Sequence, residues 1–175
     1  MLKFTCQGEK FILFLLNFIK KGIDMANVFD VAKYILENLG TISAMKLQKL
    51  CYYSQVWSLV WDERPLFNNI IQAWGKGPVS PELYQWHKGK FLVNIDDLLV
   101  KLMDKDAPLT DEQKRNIDAV LTKYGRLTAQ ELSDLTHKET PWREANGSCP
   151  ISENCDAEIT HAAMHEYYSS IPPVH

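Results

Sequence analysis

The stretch AMKLQKLCYYSQVWSLVW, residues 44–61, carries apolar side chains on nearly every face that a helix would have. Its apolar and small residues follow two helical faces, one with Leu47, Leu50, Cys51 and Ser54 and the other with Tyr53, Val56, Trp57 and Val60. A helix that is apolar nearly all round is normally covered by neighbouring elements on all sides. We therefore predict that 44–61 is the central buried helix, with Lys46 and Lys49 at its one solvent-exposed end.

Helical patterns with start and stop signals lie on both sides of this stretch. Asn27 is a typical N-cap, apolar residues follow it with helical spacing, and Gly40 is a typical stop. Two capping boxes begin further helices, at Thr110 with Gln113 and at Thr128 with Glu131. The predicted helices, in chain order, are 28–39, 44–61, 81–89, 95–104, 111–124, 129–137 and 156–169.

These patterns predict a mainly α fold. The chain has 175 residues, of which 46% are hydrophobic, and this is enough for one compact domain with a real core. We expect a single-domain bundle of about seven helices around the central helix. The segment 66–74 mixes β-branched and aromatic residues, so at most a small β element is expected near 66–79.

Residues 1–24 are treated separately from the domain at 25–175. The run FILFLLNFI, residues 11–19, is too short to span a bilayer, since a helix of this length rises only about 14 Å. Its lysine pair follows the apolar run, whereas a secretory signal has basic residues before it. We expect either an extension upstream of a true start at Met25 or a small accessory helix, and no membrane partner.

Charge and cysteine content limit the classes of partner. The formal net charge is -3, so the chain has no basic surplus for a nucleic-acid backbone and direct nucleic-acid binding is not expected. The four cysteines fall in unlike sequence contexts, at Cys6, Cys51, Cys149 and Cys155. This usage is typical of a reducing cytoplasm, which is the expected location.

A second informative stretch is AWGKGPVSPELYQWHK, residues 73–88, which we call the corner. Its Gly-x-Gly resembles a phosphate-binding loop, but Pro78 and Pro81 each remove a backbone donor that a phosphate would need. Glu82 also occupies the place of the anion at the start of the next helix. Glycine permits unusual backbone angles and proline restricts them, so the stretch is predicted to be stiff.

Three aromatic residues, Trp74, Tyr84 and Trp86, accompany the corner. An aromatic side chain that is already held in place loses little entropy when a partner covers it, so the corner could serve recognition. Aromatic residues at such a position in a small helical domain more often belong to the core. Both interpretations stay open at this point.

Metal binding has one candidate set, spaced C-x5-C-x5-H-x3-H: Cys149, Cys155, His161 and His165. Structural zinc sites usually have two to four residues between the cysteines and a longer span to the histidines. Two ordinary histidines on a C-terminal helix are therefore favoured over zinc, and no metal or other cofactor is predicted.

The chain also lacks a recognisable catalytic arrangement. Cys51 lies in the middle of a buried helix, where an exposed thiolate is not expected, and no nucleophile elbow or metalloprotease motif occurs. His137 could act as an acid or base, although a histidine in a last helical turn is explained by the helix dipole. We predict a protein that is not an enzyme and has no catalytic residues.

Three segments in order, KLQKLCYYSQVWSL (46–59), PLFNNIIQAWGKGPVSPELY (65–84) and LSDLTHKETPW (132–142), resemble the Panacea antitoxin domain family. This family includes SocA-like antitoxins and phage-associated GepA-like proteins, and the resemblance covers about residues 25–170. It implies a mainly helical bacterial or phage protein that neutralises a cognate toxin, usually encoded by the adjacent gene. Neutralisation would occur by direct binding or by delivery of the toxin to a cellular protease, and a chaperone is a further partner class.

Under this resemblance the corner and the third segment are the expected toxin-binding surface. The candidate residues are Trp74, Lys76, Gly77, Pro78, Tyr84, His137 and Trp142. If these residues serve the fold instead, the choice of toxin must reside in exposed segments such as 90–110 or 143–156. A phage or mobile-element protein that binds a host factor, and a metal-dependent enzyme with a polar pocket around His137 or His161, are the alternatives.

Overall fold

The computed structural model describes residues 26–102, 109–147, 149 and 155–172. The expected extension at 1–24 lies outside these residues. The described part holds eight helices: α1 Val28–Leu39, α2 Ala44–Asp62, α3 Pro81–His87, α4 Ile95–Leu102, α5 Asp111–Tyr124, α6 Ala129–Thr136, α7 Thr140–Gly147 and α8 His161–Ser169. It also holds four short strands: β1 Ile42–Ser43, β2 Gln72–Trp74, β3 Gly77–Val79 and β4 Leu92–Val93.

Helix α2 is the centre of the molecule, as its all-round apolar pattern predicts. It begins where the Ser43 side chain accepts a hydrogen bond from the Lys46 backbone, and it ends at Glu63, whose φ of 53° is left-handed. Helices α1, α5, α6 and α8 pack around it. None of the described helices is long and apolar enough to cross a membrane. The mainly α architecture is confirmed.

The predicted exposed end of α2 is wrong at one position. Lys49 is fully buried, with 0% of its surface exposed, whereas Lys46 is half-buried. Lys46 and Gln48 precede Lys49 in the sequence and suggest a polar end of the helix. In the structure, β3 and α6 cover this turn of the helix. A lysine that would reach solvent on an isolated helix is enclosed here by elements far away in the sequence.

The last helix begins later than predicted. It starts at His161 and not at residue 156, because the Thr160 side chain caps it by accepting a hydrogen bond from the Ala163 backbone. Residues 157–159 instead run beside β2, where Ala73 N donates to Ala157 O at 3.0 Å and Ile159 N donates to Ile71 O at 2.8 Å. These long-range backbone bonds replace the helix that local spacing favours.

Two antiparallel strand pairs complete the described fold. Strands β2 and β3 form the small β element predicted near 66–79, with Trp74 opposite Gly77. Strands β1 and β4 pair Ile42 with Val93, and the sequence does not signal this second pair because each strand has only two residues. The β2–β3 hairpin places the corner against α2, α6 and α7.

Candidate partner-binding site

The tight turn between β2 and β3 depends on Gly77. Its φ is +99°, a backbone conformation that side chains with a Cβ rarely adopt. A Cβ at this position would lie 2.7 Å from Thr136 Oγ1 and 2.8 Å from Lys49 Cε. Both the backbone angle and the close approach therefore require glycine at this position.

The buried Lys49 side chain binds the backbone of the corner. Its Nζ donates to the Pro78 carbonyl oxygen at 2.9 Å. Burial disfavours the ammonium and lowers the pKa of Lys49 to about 7. A neutral amine costs less free energy to bury than an ammonium ion does. The neutral amine can still donate the hydrogen bond that the Pro78 carbonyl oxygen accepts.

The Gln48 side chain binds the backbone of Ser80, between β3 and α3. Its Oε1 accepts from Ser80 N at 2.9 Å, and its Nε2 donates to Ser80 O at 3.2 Å. The same Nε2 lies 3.0 Å from His87 Nε2. Because an amide nitrogen can only donate, this ring nitrogen accepts, in agreement with burial lowering the pKa of His87. Ser80 is the expected N-cap of α3, but its side chain makes no capping hydrogen bond.

Side chains from α6 and α7 bind the carbonyl groups of the hairpin. Ser133 Oγ donates to Lys76 O at 2.9 Å, and Trp142 Nε1 donates to Trp74 O at 2.9 Å. The His137 ring lies against the Trp142 ring, with centroids 4.1 Å apart. Partial burial, and then the nearby Lys49 charge, lower the pKa of His137. Its Nε2 is buried without a hydrogen-bond partner.

The structure gathers the seven candidate residues around the corner but exposes few of them. Gly77 and Pro78 are buried, and Lys76 is exposed at the tip of the turn. The remaining four are half-buried: Trp74, Tyr84, His137 and Trp142. Trp74 and Tyr84 pack edge to face, with centroids 4.7 Å apart. These half-buried rings therefore pack within the fold and also leave part of their surface exposed.

Several residues that build this region were missed by the sequence analysis. Gln48 and Lys49 were not singled out as supports for the corner, and Gln55 plays a similar role elsewhere on α2, where its Oε1 accepts from Leu66 N at 2.9 Å. All three are long polar side chains in the buried part of a largely apolar helix. That mismatch was the available signal, because a buried polar side chain needs a hydrogen-bond partner.

A buried carboxylate lies between α6 and α7. Glu139 accepts from Tyr168 Oη at 2.6 Å and from Tyr53 Oη at 3.2 Å. Burial raises the pKa of Glu139 to about 7, although the two hydroxyl groups oppose this shift. The carboxylate ties α2 to α8, and this cluster was also missed.

The four candidate zinc ligands make other contacts in the structure. Cys149 and Cys155 are joined by a disulfide, so neither offers a thiolate. His161 Nε2 lies 2.8 Å from Gln55 Nε2, and the exposed His165 lies beside Ser169. The described residues contain no group of three or more side chains that could hold a metal ion.

Four large apolar side chains in or next to β4 and α4 are exposed. They are Phe91, Leu92, Leu99 and Val100, and we call this set of residues the apolar patch. Phe91 is 82% exposed and Val100 is 77% exposed. Side chains this large and this exposed stand out because most of the described large apolar residues are buried. The patch lies within the segment 90–110, one of the two segments expected to select the toxin.

Comparison with known proteins locates the chain in a family. The family model described as "Antitoxin SocA-like, Panacea domain" matches residues 47–143. The chain is 34% identical over 109 residues to Antitoxin SocA of Caulobacter vibrioides (strain NA1000 / CB15N), covering 58% of each chain. The match thus spans less than two thirds of this relative, and no solved structure matches. Because 47–143 is more than half of the 175 residues and includes the corner, the chain belongs to the antitoxin SocA-like Panacea domain family.

Proposed function

We propose that this chain is the antitoxin of a toxin–antitoxin system and binds a cognate protein toxin encoded by the adjacent gene. The observation that carries the proposal is the family match over 47–143, which includes most of α2, the corner and the start of α7. A relative over 109 residues bears the name antitoxin. Membership of an antitoxin family also supports a role other than catalysis.

The toxin-binding surface that we propose is the outer face of the corner. Lys76 is exposed at its tip, and Trp74, Tyr84 and Trp142 present partly exposed rings around it. Hydrogen bonds from Ser133 and Trp142 hold the carbonyl groups of this turn. A surface fixed in this way loses little conformational entropy on binding, and aromatic residues often dominate binding energy at protein interfaces.

Co-expression with the product of the adjacent gene tests the proposal. We expect the wild-type chain to restore the growth of cells that produce this toxin. The variant Lys76→Glu reverses a charge at the tip without removing the Lys76 carbonyl that Ser133 binds, and should weaken rescue. The matched control is Arg115→Glu, on the exposed surface of α5. Equal rescue by both variants would remove the corner from the interface.

The same assay separates two ways of neutralising the toxin. Direct binding predicts that the toxin persists at a constant level while cells grow, and that the two proteins co-purify. Delivery to a protease predicts that the half-life of the toxin falls when the antitoxin is present. Failure of the wild-type chain to rescue growth would contradict the antitoxin role and favour the host-factor alternative.

A further inference from the structure

We propose that Cys149 and Cys155 are a thiol–disulfide exchange site whose oxidation state sets how firmly strand β2, and with it the corner, is held. The two cysteines are linked by a disulfide across a sequence separation of 6 residues. Cys149 follows α7, and Cys155 precedes the extended segment 157–159. The bond therefore joins the end of α7 to the segment that runs beside β2.

Both joined parts bind β2 directly. From α7, Asn146 Nδ2 donates to Ala73 O at 2.8 Å. From the segment 157–159, Ala157 O accepts a hydrogen bond from Ala73 N at 3.0 Å. A single residue of β2 thus uses its carbonyl for one part and its amide for the other, and the disulfide links the two parts beside it.

Two further bonds extend this arrangement along the strand. Ile159 N donates to Ile71 O at 2.8 Å before the turn. Trp142 Nε1 donates to Trp74 O at 2.9 Å at the entry to the turn. Reduction of the disulfide leaves these bonds in place but allows α7 and 157–159 to separate independently. The amides of β2 and of 157–159 should therefore open more often.

The burial of the two sulfur atoms determines the order of exchange. Cys149 is half-buried and Cys155 is 2% exposed, so an incoming disulfide reaches Cys149 first. The Cys149 thiolate attacks oxidised glutathione and releases one reduced glutathione. The Cys155 thiolate then displaces the second, so that the protein dithiol loses two electrons and two protons to the glutathione disulfide.

The free cysteine within the described residues does not compete for this chemistry. Cys51 is fully buried in α2, and burial raises the pKa of its thiol. Cys6 lies outside the described residues, so the experiment uses a Cys6→Ser background. The exchange is then confined to the pair at 149 and 155.

Hydrogen exchange of the full chain tests the proposal in reduced and glutathione-oxidised samples. Closing a loop of this size restricts the open chain enough for reduction to lower the protection of the Ala73 and Ile159 amides by about tenfold or more. The amides of α2 should change much less. Mass spectrometry after thiol alkylation confirms the linkage in the oxidised sample and its absence in the reduced one.

Two variants complete the experiment. The double variant Cys149→Ser with Cys155→Ser should show the low protection of the reduced wild type under both conditions. The variant Cys51→Ala should retain the full response. Equal protection of Ala73 in reduced and oxidised wild-type protein would overturn the proposal, as would glutathione attached to Cys149 without closure to Cys155. The reduced wild type provides the same comparison if the double variant does not fold.

Discussion

The corner and the apolar patch differ in how much of their surface the fold already uses. At the corner, Gly77 and Pro78 are buried, and the carbonyl groups of Trp74 and Lys76 accept bonds from other helices. At the patch, Phe91 is 82% exposed. At the corner, the distinctive sequence pattern thus marks residues that the fold needs. Exposed apolar side chains occur instead in a segment that has no such pattern.

This contrast gives the two regions different expected responses to substitution. Changes at the corner act first on stability, because its side chains are shared by β2, β3, α6 and α7. Changes at the apolar patch act on contacts with other molecules, because little inside the protein depends on them. Substitutions at the corner should therefore lower the free energy of unfolding more than substitutions at the apolar patch do.

The largest effect is expected from Gly77→Val. A Cβ at Gly77 would lie less than 3.0 Å from Thr136 Oγ1 and from Lys49, at a φ of +99°. Overpacking and backbone strain together should lower the free energy of unfolding by about 3 kcal/mol or more. Gly75→Val is the matched control, because a Cβ at Gly75 meets nothing within 4 Å. Chemical denaturation measures both, and similar losses would refute the close approach.

The second effect is a pH dependence centred on Glu139. Its pKa is raised from 4.5 to about 7, so the folded state binds the proton more tightly than the unfolded state does. The stabilisation is complete below pH 4.5 and is lost as the pH rises through about 7. Between these limits the wild type should lose about 3 kcal/mol relative to Glu139→Gln. Denaturation of both proteins across this range measures the difference, and parallel curves would contradict it.

Lys49 should show the opposite slope. Its pKa is lowered from 10.5 to about 7, so the unfolded state binds the proton more tightly. The stabilisation is present above pH 10.5 and is lost as the pH falls through about 7. From pH 7 to 8.5 the wild type should gain roughly 2 kcal/mol relative to Lys49→Met. The difference between the two proteins cancels other titrating groups, and a difference independent of pH would contradict a neutral buried amine.

The smallest effect on stability is expected at the apolar patch. Phe91→Ser with Val100→Ser should change the free energy of unfolding by less than about 0.5 kcal/mol per site, because both side chains are largely exposed. Chemical denaturation measures this change. A loss above about 1 kcal/mol per site would show that the patch is packed within the protein. In the growth assay, weakened rescue by this stable variant would assign the patch to the toxin interface.

Features that depend on neighbours along the chain could be predicted without the structure. The capping boxes at Thr110 and Thr128 begin α5 and α6 as predicted, because their bonds join residues three apart. The all-round apolar pattern identified α2 as the buried central helix, since a helix that is apolar on all sides needs neighbours to cover it. The stiffness predicted for the corner rests on its glycine and proline residues and stays a prediction, whereas the motif order identified the family.

Features that join distant segments become visible only in the folded chain. The burial of Lys49 requires β3 and α6, which lie 28 or more residues away in the sequence. The pairing of 157–159 with β2 overrides a local helical pattern, and the disulfide between Cys149 and Cys155 depends on the same approach. The spacing of residues along one segment predicts the secondary structure that this segment can form alone. The partner of a buried polar group depends instead on how distant segments pack together.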